Sequence, residues 1–585
     1  MSFVVRLHAA AVKDAEGTAM TIFQRLLRTL FCTGIITSFA YGQAAKPMPA
    51  NEEGIPVTDA LVIAKCGACH KSDDKGNLQR VSYRRTTPEG WQDTLRGMIL
   101  GQGVMVSPEE ARSIVKYLSD THGLTPEEAK PVMYLAERRV HDESSMANEN
   151  LRNACAKCHT LARSLSMRRS VSDWKQLADS HAARFKAGPN SEAIAYLSKT
   201  AALQTPEWTA WNSRVSEQSV IGRWLVTAYL PGHGMYYGQM EIQTAGGGQG
   251  ELSSRVKLQS LKDGSSVIRT GRSVLYGGYA WRGRSKGVES PGTSPDDLAS
   301  DAREAVWFSS DGTRGEGRWY WGPYQEFGFD VRLQRATSDM QVMGVEGWSL
   351  KAGTQNNIVQ IVGNNFPRQV TAADLDFGPG ITVRRLASRV IELVAEVEVK
   401  PDAPPGKREI HFQKTALPAT VTVYDRVDYL KVLPDTALAA FADKEHTRGY
   451  RQFEAIGYQR GADGKKNTAD DLEVGPVEAT WSTEVFYATD PGKSSLVGSV
   501  NADGLYTPAA ENPQANSDVW VIATAKNEKD TTGKALVGKG YLVVTIPVYI
   551  FQGRRYIRDL DRWVDDRKAD SSQGTAQQTD PRSQQ

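Results

Sequence analysis

Two textures of apolar and polar residues divide the chain near residue 213. Before it, apolar positions recur at helical spacing. Ile114, Val115 and Leu118 form a stripe behind Ser107-Pro108-Glu109-Glu110, a capping box with proline at the first helical position. Thr125-Pro126-Glu127-Glu128 predicts a second helix start, carrying Val132, Leu135 and Val140. Beyond residue 220 the pattern shortens to strand alternation. Trp224 to Thr227, Val256 to Leu258, Val267 to Arg269, Ala305 to Phe308 and Phe327 to Leu333 read as strands. Lys262-Asp263-Gly264 and Ser310-Asp311-Gly312 read as hairpin turns between them.

Aromatic residues crowd this stretch: Trp281, Trp307, Trp319, Tyr320, Trp321 and Tyr324. Such residues more often fill a barrel or sandwich core than form a ligand or partner surface. Residues 213–338 are therefore expected to form a β-barrel. Pro231-Gly232-His233-Gly234 reads as a turn, and His233 alone makes no metal site. Residues 339–425 and 426–550 each read as a small immunoglobulin-like sandwich. In the first, 358–363 and 390–399 alternate; in the second, Ala479 to Ser482, Asn501-Ala502-Asp503-Gly504-Leu505-Tyr506 and 519–523 run strand, turn, strand. Asp463-Gly464 with Asp470-Asp471 fails the spacing of a calcium loop and reads as a solvated turn. The tail, 551–585, is charged and becomes rich in Ser, Gln, Asp and Thr from Ala569, a composition expected to be disordered.

At 585 residues the chain exceeds one core and suggests about three to five domains. Its 70 basic and 68 acidic residues leave a net charge of +2, which gives no nucleic-acid footprint. Residues 1–45 read as a signal peptide, with Arg25 and Arg28 before an apolar core from Leu30 to Ala40 and small residues at the cleavage site. Met20 is a candidate start, because residues 1–19 fit no part of a signal. The apolar run is too short for a membrane span. Export to the periplasm is the expectation.

Candidate chemistry lies in two copies of Cys-x-x-Cys-His: Cys66-Gly-Ala-Cys69-His70 and Cys155-Ala-Lys-Cys158-His159. The spacing lets two thiols form thioethers to one haem while the adjacent histidine ligates its iron. Of the five cysteines only Cys32, within the signal, lies outside these motifs. Two disulfides or a zinc site are the competing readings, and neither calls for a histidine after each pair. Residues 46–212 are thus expected to be an α-helical dihaem cytochrome c domain. In a degenerate repeat, Trp91 stands seven residues before Met98, and Trp174 seven before His181. Seven residues is two helical turns, so one face carries an indole to cover a haem edge and a ligand for its iron. The expected pairs are His70 with Met98 and His159 with His181, which would give the haems unequal potentials. Met105 rivals Met98, while His122 and His141 are the alternatives to His181.

Taken together, these motifs make the chain resemble the α subunit of quinohemoprotein amine dehydrogenases. The likeness is carried by Trp91 with Met98, by Glu110-Ala111-Arg112 leading to Tyr117-Leu118, by Gly222-Arg223-Trp224 with Pro231 to Gly234, and by 501–506. Domain order is its discriminating feature. The resemblance implies a heterotrimer with a β-propeller subunit and a small subunit bearing cysteine tryptophylquinone and the catalytic base. It implies that this chain takes electrons from the quinone and hands them to a periplasmic blue-copper protein or cytochrome c. No hydrolase, Rossmann or zincin motif occurs, which agrees with catalytic residues lying elsewhere. The competing functions are a stand-alone dihaem carrier with β-domains for surface or partner binding, and a dihaem peroxidase with an open iron site.

Overall fold

The computed structural model describes residues 52–137, 160–185, 191–215, 218–246, 250–292, 297–321, 328–442, 448–485, 497–510 and 517–546. The expected signal peptide, the second Cys-x-x-Cys-His, Cys32, His141, Tyr324 and the C-terminal tail lie outside them.

The expected fold class, headed by an α-helical cytochrome domain, is overturned. The described residues are mostly β, with 46% strand against 20% helix, and the N-terminal region is not a clearly helical cytochrome domain. Helices there are short for identifiable reasons. Helix α1 (Ala60–Cys66) is capped by Asp59, which accepts from the Val62 N–H, and ends at Gly67 after seven residues. The helix expected from Thr125 breaks into single turns at Pro126–Ala129, Lys130–Val132 and Tyr134–Glu137. Pro131 has no N–H for the preceding turn and its ring clashes there, so the α-helix cannot continue through it.

Among the described residues only α2 (Pro88–Gln102), α3 (Pro108–Thr121) and Val171–Phe185 run to about four turns. The Ser107–Glu110 capping box is formed as the sequence predicts. Two three-residue strands, β1 (Arg84–Thr86) and β2 (Met167–Arg169), pair antiparallel across the repeat. Val57, Val62, Leu78, Trp91, Leu95, Ile114, Val115 and Leu118 form the small core of the first half.

Eight strands then close into an antiparallel barrel: β3 (Gly222–Leu230), β4 (Gly234–Thr244), β5 (Glu251–Ser260), β6 (Ser266–Tyr276), β7 (Ala280–Gly287), β8 (Ala302–Phe308), β9 (Arg314–Trp321) and β10 (Gly328–Arg335). Pairing of β10 with β3, Val331 opposite Ala228, makes the closure. The hairpin turns at Gly264 and Gly312 fall where the sequence places them. Alternation sends Trp224, Trp281, Phe308, Trp319 and Phe329 inside. There they tilt edge to face, with the Trp224 and Phe308 centroids 5.0 Å apart and those of Tyr236 and Phe329 5.2 Å apart.

The residues between them point outward and are covered by the N-terminal region. Trp307 donates its indole N–H to the Pro126 carbonyl at 2.7 Å, and Lys130 Nζ lies 4.6 Å from the centre of its ring. Tyr320 donates to the Ala136 carbonyl at 2.8 Å, and Arg282 pairs with Glu89 at 2.5 Å. The aromatic stretch therefore serves two purposes: its inward half fills the barrel and its outward half seats the segment that joins the two modules.

Residues 341–424 form two four-stranded sheets around a core that includes Val359, Ile361, Phe377 and Val421. Residues 429–545 form sheets of three, four and three strands. In this last region Asn501 Oδ1 accepts from the Asp503 and Leu505 N–H groups at 3.0 and 2.8 Å, and Gly504 takes φ +82°. That turn meets the 231–234 turn of the barrel. Gln452 donates to the Asp503 carbonyl, while Glu454 accepts from Tyr229 Oη at 2.7 Å and from the Gly232 N–H at 2.7 Å. Two stretches that carry the family resemblance are thus halves of one interdomain lock. Asp463 and Asp471 accept hydrogen bonds from Lys465, Thr468 and Tyr429 in a polar turn.

Candidate haem-attachment site

Cys66 closes α1, and the chain then turns tightly. The Cys69 and His70 N–H groups both lie against the Cys66 carbonyl, at 3.2 and 2.9 Å. Both thiols and the imidazole are thereby held within one turn. Neither cysteine is in a disulfide. Cys69 is exposed; Cys66 and His70 are half-buried. Burial, and after it the neighbouring Cys69, push the Cys66 thiol up. The group is then a protonated thiol near neutrality.

The helix that ends in the motif and the helix after it leave apolar side chains uncovered. Ile63 on α1, Ile99 and Leu100 on α2, and Met105 beyond it are all exposed, Leu100 by 76% and Met105 by 83%. Lys65 ties the 105 loop to α1, donating to the Met105 carbonyl at 3.1 Å and pairing with Glu110 at 2.9 Å. Exposed apolar side chains on elements of the same small domain as two thiols and an imidazole fit a large apolar ligand that carries a metal. The donor set suits a haem. Among the described residues no group of three or more His, Cys, Asp or Glu side chains could hold a bare metal ion.

The four other candidate ligands in the described residues differ in setting. Met98 lies half-buried in the last turn of α2, and the exposed Met105 follows it. His181 is exposed on Val171–Phe185, and its Nδ1–H donates to the Leu177 carbonyl at 3.2 Å. An iron-ligating imidazole is commonly oriented by such a bond through its other nitrogen. His122 is a different case. It is fully buried, its Nε2–H donates to the Ile55 carbonyl at 3.1 Å, and Nδ1 sits 2.8 Å from Thr121 Oγ1. Desolvation lowers its pKa to about 4, so it remains a neutral structural residue at the end of α3. Cys155, Cys158, His159 and His141 are outside the described residues.

The two tryptophans of the repeat occupy matching settings. Trp91 is buried and donates its indole N–H to the His122 carbonyl at 3.0 Å; Trp174 is buried and donates to the Ala201 carbonyl at 3.1 Å. Each is a strut from its own helix to the end of a later one. That polar edge is committed to backbone, a bond no purely apolar side chain could make.

The sequence reading missed a buried ion triad at the joint between the modules. Arg85 meets Glu128 through two bonds, at 2.8 and 3.0 Å, and Arg168 Nε meets the same carboxylate at 3.0 Å. Burial by itself would raise the Glu128 pKa, but the two guanidinium groups outweigh it and hold the carboxyl at about 2. A signal was present. Arg85 stands six residues before Trp91 and Arg168 six before Trp174, so both arginines belong to the repeat. From the sequence Glu128 counts only as part of the helix start at Thr125, where the structure also shows it closing a capping box.

Four family models match the chain. Residues 57–196 match "Quinohemoprotein amine dehydrogenase A, alpha subunit, haem binding". Domains II, III and IV of the same alpha subunit match residues 217–336, 339–425 and 430–553. Comparison with curated proteins finds no match. Among solved structures, a redesigned beta barrel is 15% identical over 20% of this chain and 92% of its own, at TM-score 0.17. A de novo fluorescence-activating beta barrel is 18% identical over 20% of this chain and 93% of its own, at TM-score 0.16. An ICAM-5 D1–D4 ectodomain fragment is 8% identical over 56% and 95% of the two chains, at TM-score 0.11. Likenesses this weak carry no argument.

Proposed function

Because the chain belongs to the quinohemoprotein amine dehydrogenase α-subunit family, we propose that it is the electron-transfer subunit of such an enzyme and carries two covalent haem c groups. The family is that of an oxidoreductase subunit with a haem-binding domain. The carrying observation is that the haem-binding match, residues 57–196, contains both Cys-x-x-Cys-His motifs. The exposed apolar side chains of Ile63 on α1 and of Ile99 and Leu100 on α2 support the same reading.

A haem iron supplies one-electron chemistry, and the protein's part is attachment, orientation and shielding. Cys66 and Cys69 would anchor the first haem, with His70 and Met98 as its ligands. Cys155 and Cys158 would anchor the second, with His159 and His181. Ile63, Ile99 and Leu100 would keep water from the first. Electrons would come from a cysteine tryptophylquinone on a small partner subunit, beside a β-propeller subunit, during oxidative deamination of primary amines. They would leave to a periplasmic blue-copper protein or cytochrome c. The amine-oxidising site belongs on another subunit in this reading, and the location is the periplasm. Among the described residues no helix is long and apolar enough to cross a membrane.

The test separates the chain from its partners. Purified alone, it should be reduced by dithionite yet oxidise no primary amine. Adding the partner subunits should bring amine-dependent haem reduction. Amine oxidation by this polypeptide alone, at the rate of the complex, would place the chemistry here and overturn the division of labour.

A further inference from the structure

We propose that Glu128 is the positioning residue that holds the two haem modules in register and thereby sets the rate of electron transfer between their haems. The inference rests on the dihaem reading above. Its basis is what the three side chains of the joint are attached to. Arg85 sits on β1, which runs directly into α2, the helix that carries Met98. Arg168 sits on β2, which runs directly into Val171–Phe185, the helix that carries His181. In the ladder Arg85 is paired with Arg168, so equivalent residues of the repeat face each other across a local two-fold axis. Glu128 lies outside the repeat, on the connecting segment, and meets both arginines.

The remaining bonds of the joint run the same way. Arg85 also donates to the carbonyls of Leu203 at 2.5 Å and Gly123 at 3.0 Å, and stacks 4.6 Å from the ring centre of Trp208. It therefore grips both halves of the domain. Thr86 Oγ1 donates to the Ser166 carbonyl at 2.8 Å, and Arg168 to the Leu165 carbonyl at 2.6 Å. Both acceptors are at the end of the Leu161–Leu165 helix that follows His159.

Side-chain exposure is 0% for Arg85, 10% for Arg168 and 15% for Glu128. Desolvating three charges costs as much as it returns, and well-packed apolar residues would give comparable stability. Direction is what the triad adds. A carboxylate that receives a two-pronged guanidinium on one side and a single Nε–H on the other admits one arrangement of its three carriers. An apolar contact would allow sliding. Since the ladder and the carboxylate hold the helices bearing Met98 and His181, a shift here changes the separation and tilt of the two haem sites.

The experiment uses the full haem-loaded chain as wild type, Glu128→Gln and Arg168→Lys. Haems per chain and the optical spectrum of each haem are measured first. One haem is then reduced by a radiolytic pulse, and its equilibration with the other is followed optically. Amide hydrogen exchange at residues 84–86 and 167–169 is read in the same samples without reference to haem. The expected result is two haems with unchanged spectra in all three proteins, faster exchange in both variants, and inter-haem transfer slowed about tenfold. Electron transfer between two fixed redox centres weakens steeply with their separation and tilt, so a displacement at the joint is read directly in this rate. If Glu128→Gln does not accumulate as folded protein, Arg168→Lys decides, because it keeps the charge and disturbs one bond to Glu128. Wild-type transfer rates in a variant whose exchange is faster would overturn the proposal. So would unchanged exchange together with unchanged transfer. A wild-type chain with a single haem would instead overturn the dihaem reading, and the proposal with it.

Discussion

Replacing Gly232 by alanine tests the lock between the barrel and the C-terminal sandwich. Gly232 has φ +81°, where an alanine pays about 1–2 kcal/mol. Its new Cβ would lie 2.6 Å from Gln452 Nε2 and 2.9 Å from the Asp503 carbonyl oxygen, so something must move. Gln452 cannot yield without weakening its bonds to the carbonyls of Asp503, at 2.5 Å, and Phe453, at 3.0 Å. Each such bond is worth about 1 kcal/mol. If the 231–234 turn yields instead, the Gly232 N–H leaves the Glu454 carboxylate, a bond worth about 1.5–3 kcal/mol. Either route gives a loss of about 3–5 kcal/mol. The assay is guanidinium unfolding of the full chain, followed by tryptophan fluorescence. Gly246→Ala is the control, because its Cβ would meet nothing within 4 Å. A loss below about 1 kcal/mol for Gly232→Ala would mean that the two turns touch without locking.

Three further outcomes are expected. Met98→Ala should abolish the methionine-to-iron band in the near infrared and lower one haem's potential, while His181→Ala should make the other haem high spin; the first result from Met105→Ala instead would shift the ligand register of the first module. Trp307→Ala should cost about 3–5 kcal/mol by emptying a buried indole site and orphaning the Pro126 carbonyl, seen as faster protease cleavage within 126–137; unchanged cleavage would mean that the joint does not depend on the barrel wall. Glu128 has a folded pKa depressed from 4.5 to about 2, so its contribution is present above pH 4.5 and lost as pH falls toward 2. That amounts to about 3 kcal/mol, and Glu128→Gln should flatten the acid limb of the stability curve in this window. An unchanged acid limb would show that the triad is not formed.

The β half of the chain was legible because strand alternation and hairpin turns are local signals. Gly264 and Gly312 sit at turns that any two flanking strands would need. The helical half was misread for an equally physical reason. A capping box shows where a helix starts but not how far it runs, and Pro131 ends at one turn what Thr125 begins. The Trp-to-ligand spacing pointed to a true repeat, yet the indoles face backbone carbonyls that lie 31 and 27 residues away, beyond the reach of any periodicity argument. Glu128 escaped notice because its capping role was sufficient to explain it, while its partners are 43 and 40 residues distant in opposite directions. The lock at Gly232 joins residues more than 200 positions apart, and each turn alone looked like an ordinary loop.

Haem stoichiometry tests most directly whether this polypeptide carries two covalent haems. The mature chain, expressed with cytochrome c maturation and separated on a denaturing gel, should retain haem covalently. Pyridine haemochrome absorbance against chain concentration should give two haems per polypeptide. It should fall to one when Cys66 and Cys69 are both replaced by alanine, and to one when Cys155 and Cys158 are. A wild-type value of one, or haem that washes away on denaturation, would contradict a chain built to carry electrons through two covalent haems.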